Sequence, residues 1–142
     1  MSLVQKIDNL LTSEYSFIRT ALLFGSYASS SEHNMSDIDI AIECDEEISF
    51  LMMGDIVSFL EASLKRRVDL VILNDIYKKS PLLAYNIYKS HKKIFVHDRE
   101  KYQEFKLNAL HYYMDFKPII EMHHKAFSKR IQSGNLAKTQ TA

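Results

Sequence analysis

Two motifs in the first half of the chain carry residue types suited to handling phosphate. Gly25-Ser26 closes the apolar run Ala21-Leu22-Leu23-Phe24, and ten residues later Asp37-Ile38-Asp39 opens a second apolar run. Gly25 can take backbone angles that side-chain-bearing residues resist, so the chain can turn sharply and aim backbone N–H groups at an anion. In Asp37-Ile38-Asp39-Ile40-Ala41-Ile42, strict alternation puts Ile38, Ile40 and Ile42 on one strand face and both carboxylates on the other. Two carboxylates on one face bind a hard cation such as Mg²⁺. A nucleoside triphosphate, with about four negative charges, needs such a cation beside such an anion cradle.

A third carboxylate would complete the site. Arg67-Val68-Asp69-Leu70-Val71-Ile72-Leu73 is another β-rich run, with Asp69 near its start. If it lies beside the first acidic strand with its polar residue facing the same way, Asp69 joins Asp37 and Asp39. Asp69 would then accept a proton or hold a second metal ion, so that two ions flank the reacting phosphorus. Alone, a Gly-Ser pair is an ordinary turn and Asp-Ile-Asp a solvated strand edge. The ordered set of three motifs is what points to a site.

Gly25-Ser26, Asp37-x-Asp39 and, thirty residues on, Asp69 together resemble the polymerase-β-type nucleotidyltransferase superfamily. The short chain and its ending, Tyr113-Met114-Asp115-Phe116-Lys117-Pro118 followed by a basic amphipathic tail, are similar to the minimal nucleotidyltransferases that serve as antitoxins beside HEPN-domain toxins. The resemblance implies transfer of AMP from ATP to a hydroxyl, read as a tyrosine's, on a cognate HEPN ribonuclease toxin, which is thereby silenced. It implies that Gly25 and Ser26 hold the triphosphate, with Ser36 capping the turn into the acidic strand and grouped with them. Asp37, Asp39 and Asp69 would be both catalytic and metal ligands, for two Mg²⁺ ions. One departure stands out: the family continues Gly-Ser-x-Ala-Arg-Gly, whereas Ala28 here is followed by Ser29-Ser30. Two other readings fit: an antitoxin that only binds and occludes the toxin, and a transferase acting on a small hydroxylated molecule such as an aminoglycoside. The second usually has an added helical domain, for which this chain lacks length.

Composition sets the bounds. The chain has 142 residues, expected to form a single domain, 1–142, able to bury about two-thirds of its unfolded surface. Lys plus Arg and Asp plus Glu number 18 each, so no global field gathers nucleic acid, and a tRNA or DNA substrate is disfavoured. One cysteine, Cys44, excludes an internal disulfide, and neither a signal-type start nor a membrane-length apolar stretch is present. A cytoplasmic protein without membrane contact is expected.

These motifs need a scaffold, and the periodicity predicts one: an α/β fold, a small mixed β-sheet flanked by helices in the manner of the nucleotidyltransferase palm. Leu3, Ile7, Leu10 and Leu11 recur at helical spacing behind a Ser2 cap. Phe50, Met53, Val57, Leu60 and Leu64 mark a crossover helix over 49–66, between the two acidic strands. Pro81 starts a further helix, through Leu82, Leu83, Tyr85, Ile87 and Tyr88 to His91, ahead of a short strand over 93–96. The order is helix, strand, strand, helix, strand, helix, strand, helix. A last helix, about 99–132, carries its apolar stripe too far for one small sheet. Pro118 is expected to kink it, leaving the outer part to meet a protein partner.

Overall fold

The fold was taken from a computed structural model, in which residues 1–27 and 37–133 are described. Helix α1 (Leu3–Glu14) leads into strand β1 (Ile18–Phe24) and a single 3-10 turn over Gly25–Tyr27. Strand β2 (Ile38–Cys44), helix α2 (Phe50–Leu64) and strand β3 (Val68–Ile72) form a crossover unit. Two consecutive helices, α3 (Ile76–Lys79) and α4 (Pro81–Lys89), precede strand β4 (His91–Val96), and α5 (Arg99–Ser133) ends the described chain.

The sheet has the order β3-β2-β1-β4, with β2/β3 parallel and β1 antiparallel to both β2 and β4. It is mixed because β2 runs antiparallel to β1, whereas β3 is reached from β2 through helix α2 and so lies parallel to it. The alternation read along β2 is realised: Ile38, Ile40 and Ile42 are fully buried, in one cluster with Ile7 and Leu11 of α1 and Ile56 and Leu60 of α2. The other face carries Leu22 and Ala41 under Ala84 and Ile87 of α4 and Tyr102, Phe105 and Ala109 of α5. Nucleation of α1 is helped by a capping box, with Ser2 and Gln5 exchanging side-chain-to-backbone hydrogen bonds, an arrangement worth about 1 kcal/mol. At the other end of α1, the Tyr15 hydroxyl donates to Asp55 Oδ2 at 2.7 Å and ties α1 to α2.

Several boundaries differ from the sequence reading. Phe50 starts α2 but is 90% exposed, and the inward stripe of that helix is Met52, Ile56, Leu60 and Leu64 instead of the one through Phe50, Met53 and Val57. The hydrophobic residues there are so dense that spacing alone does not select a face. Helix α4 stops at Lys89, and His91 begins β4, because its backbone pairs with Phe24. The short α3 was not foreseen; it is one turn, with Asp75 at its start in a left-handed conformation (φ 58°). Helix α5 remains helical through Pro118. Its inner half is anchored by Tyr102, Phe105 and Ala109, whereas Met114, Phe116, Ile119 and Met122 farther along are exposed.

Candidate active site

The end of β1 brings the two motifs together. Phe24, its last residue, pairs with Asp39 of β2, so the next residue, Gly25, is placed against the Asp39 side chain. Gly25 has φ +72°, a conformation that favours glycine, and any Cβ there would collide with the Asp39 carboxylate, lying 3.0 Å from its Cγ. The hinge expected at Gly25 therefore serves twice, turning the chain and making room for the acid. Ser26 follows within the same 3-10 turn and is half-buried.

Asp69 reaches the site through the crossover. Helix α2 ends at Lys65, left-handed at φ 58°, and Glu61 Oε2 accepts from the Val68 backbone N–H at 2.9 Å. These contacts set where β3 begins, and the register then places Asp69 directly opposite Asp39. Paired residues share a sheet face. The two carboxyls hydrogen-bond each other, and the Asp39 carboxyl is held above the ordinary carboxylate range, first by burial, then by the charge and hydrogen bond of Asp69 and the charge of Asp37. Asp37 lies one residue before β2 and is half-buried. All three acids thus converge at one end of the sheet beside Gly25. Ser36, and with it Ser29 and Ser30, lies outside the described residues.

Three carboxyls beside a glycine hinge are a donor set of hard oxygens, which suits Mg²⁺. Among the described residues, no three acid, His or Cys side chains close into a ready-made metal cage. The same row across the sheet continues from Asp39 through Phe24 to His91 of β4. His91 is held there structurally: its Nδ1 lies 2.7 Å from the Ile87 carbonyl and its Nε2 2.8 Å from the Tyr102 hydroxyl. Since a carbonyl can only accept, Nδ1 carries a proton, and in the neutral ring Nε2 accepts from Tyr102.

Sequence reasoning missed one acid. Strand β2 runs to Cys44, and the alternation that turns Asp39 toward α4 and α5 turns Glu43 the same way. Glu43 is 8% exposed and its carboxyl is pushed up to about 7, chiefly by burial, then by Asp98, against the opposing charge of Lys101. It stands at the opposite end of β2 from the three aspartates.

A helix-backed mixed sheet with paired acids at the start of one strand, a third on its parallel neighbour and a glycine turn between is the palm-type arrangement of nucleotidyl transfer. A family model described as "Polymerase beta, Nucleotidyltransferase" matches residues 5–100, and the chain belongs to that family. Its relatives include MJ1217 of Methanocaldococcus jannaschii, provisionally named a protein adenylyltransferase, 33% identical over 75 residues that make up 53% of this chain and 76% of the relative. MJ0128 of the same organism, provisionally named likewise, is 32% identical over 85 residues, 60% of this chain and 84% of its own. Among solved structures, a chain of a toxin–antitoxin crystallised with AMP-PNP superposes with TM-score 0.72 at 24% identity, over 87% of this chain and 99% of that one. A chain from the complex of tri-AMPylated Shewanella oneidensis HEPN toxin with MNT antitoxin gives TM-score 0.64 at 22% identity, over 86% and 99%. At such identities the likeness is one of fold. Among the described residues, no helix is long and apolar enough to cross a membrane.

Proposed function

We propose that this chain is an antitoxin that transfers AMP from ATP to a tyrosine hydroxyl of a HEPN-domain ribonuclease toxin and so neutralises it. The observation that carries the reading is the direct register of Asp39 with Asp69, with Asp37 adjacent and Gly25 against the Asp39 carboxylate. The provisional naming of the relatives as protein adenylyltransferases, and the fold shared with chains of toxin–antitoxin complexes, supply the kind of acceptor.

A tyrosine hydroxyl, with a pKa of about 10, is a poor nucleophile at neutral pH and needs a base. Asp69 would take that proton as the phenolic oxygen bonds to the α-phosphorus of ATP; the bond from that phosphorus to the bridging oxygen breaks, and pyrophosphate leaves. The proton then passes to solvent. The backbone and hydroxyl of Gly25-Ser26 would hold the triphosphate, aligning the α-phosphorus with the incoming oxygen. Asp37, Asp39 and Asp69 would hold Mg²⁺, two ions being expected, which when bound offsets the phosphate charge. The exposed apolar side chains Met114, Phe116, Ile119 and Met122 on the outer half of α5 would meet the toxin. The cytoplasm, where ATP and a ribonuclease toxin coexist, is the compartment this reading requires.

Incubation of the purified chain with labelled ATP, Mg²⁺ and its HEPN partner tests the proposal. Label should appear on the partner and vanish when Asp37→Asn and Asp39→Asn are combined, while the complex still forms. Persistent labelling by that variant would remove the site. A tight complex that never acquires label would leave only an occluding antitoxin.

A further inference from the structure

The two edges of the sheet differ. On β4, one edge, Lys92 and Lys93 are exposed and the register with β1 is broken by an irregularity; charges and bulges of this kind keep a further strand from adding. The other edge, β3, has neither device. Its sequence is Val68-Asp69-Leu70-Val71-Ile72, its register with β2 is unbroken, and its one charge is Asp69 of the candidate site.

The ladder decides which backbone groups are open. Ile38 donates its N–H to the Arg67 carbonyl and Leu73 donates to the Ile42 carbonyl, so in this parallel pair Asp69 and Val71 turn their backbone groups toward β2, and Leu70 and Ile72 turn theirs outward. Val68 also points outward, and its N–H is taken by Glu61. Among the described residues nothing pairs with the N–H or C=O of Leu70 and Ile72. Both residues are half-buried, and Asp69 beside them is exposed. An extended chain can therefore add here through its main chain.

We infer that the open edge of β3 receives an extended segment of the protein substrate, hydrogen-bonded to Leu70 and Ile72, so that the segment's tyrosine stands beside Asp69. The inference rests on the reading of Asp69 as the base toward a protein hydroxyl. Residues paired across a ladder share a face, with Cβ atoms about 5 Å apart, and diagonal neighbours stay within reach of an aromatic side chain. A tyrosine opposite Asp69, or diagonal to it, thus brings its hydroxyl to the carboxyl without a pocket for its ring. Beyond Ile72 the edge runs into a cleft of about 570 Å³, bordered by Phe50, in which Asp45, Glu46, Glu47 and Asp75 outnumber Lys79. The segment that fits carries a Lys or Arg about four residues from its tyrosine. A second copy of this chain offers only its own Val68–Ile72, which has neither a hydroxyl nor a cation to match.

Amide NMR of the full chain carrying Asp37→Asn and Asp39→Asn, alone and in complex with the HEPN partner, reads the edge directly. The Leu70 and Ile72 amides should exchange at least about a hundredfold more slowly in the complex, with their protons moved downfield by new hydrogen bonds. Those of Asp69 and Val71, already paired with β2, should change little. In the chain with its acids intact, Ile72→Pro removes an outward N–H that an edge strand can lose; KM for the partner should rise about tenfold and KM for ATP stay unchanged. The exchange measurement decides the matter if that variant does not fold. Label transfer to a partner in whose complex Leu70 and Ile72 keep their free-chain exchange overturns the edge docking and leaves AMP transfer standing. Protection of both amides in a complex that the intact chain never labels supports the docking and overturns the transfer instead. Protection that appears in the chain alone as its concentration rises would give the edge to a second copy and overturn the proposal.

Discussion

Asp39 and Asp69 face each other directly across the parallel β2/β3 pair with their carboxyls hydrogen-bonded. Burial and the neighbouring acids raise the Asp39 carboxyl above the ordinary carboxylate range, an arrangement that costs stability and is kept where the charge is used. Replacing either by Asn should lower AMP transfer to the partner at least about a hundredfold while leaving the melting temperature unchanged or slightly higher. Labelling assays beside thermal denaturation check both halves; a large loss of stability would mean that the pair is structural.

Gly25 tests the same geometry from the backbone side. In Gly25→Ala the new Cβ must displace the Asp39 carboxylate and accept φ +72°, a conformation costing about 1–2 kcal/mol for a side-chain-bearing residue. The melting temperature should fall by a few degrees and label transfer should drop sharply, because the anion turn and the acid move together.

Glu43 gives a pH signature of stability. Its carboxyl titrates near 7 when folded against an ordinary value of 4.5, so between those values the folded state keeps a proton that the unfolded chain has lost. Stability therefore declines as pH climbs from 4.5 to about 7, by up to roughly 3 kcal/mol, and is flat beyond. Glu43→Gln should be more stable than the parent at pH 8 and nearly equal to it at pH 4.5. Chemical denaturation at the two pH values measures the difference.

Tyr102→Phe removes the hydroxyl on which His91 Nε2 rests, 2.8 Å away. The expected cost is about 1–2 kcal/mol. Transfer activity should survive, since His91 stands on β4, with β1 between it and Asp39. Loss of activity at full stability would give His91 a part in the chemistry.

Phe116 is 42% exposed on the outer half of α5, so Phe116→Asp should hardly change the melting temperature. Its complex with the HEPN partner should loosen by at least about tenfold, as calorimetric titration would show. Unchanged affinity would move the partner's seat elsewhere.

Much of this was legible from residue order. Alternation along Asp37–Ile42 determined which side chains are buried and which face carries the acids, because a strand's side chains have a period of two whatever it packs against. Gly25 announced a turn for an equally local reason. The long stripe after residue 99 announced a helix with more apolar surface than one sheet can cover. Less local features were illegible. Phe50 belongs to an apolar-rich helix whose inward face is chosen by the sheet, and the residue went to solvent. His91 joined β4 because Phe24 was there to pair with it.

The types and spacing of Gly25, Asp37, Asp39 and Asp69 by themselves determined which chemistry to expect, since hard oxygen ligands and a hinge before them are properties of the residues. Only the tertiary structure decided that Asp69 stands opposite Asp39, that the Asp39 carboxylate occupies the space a Cβ at Gly25 would need, and that Glu43 faces a cavity under α5. Register and helix docking depend on contacts between residues far apart in the chain, and no local pattern encodes which of several apolar faces will meet.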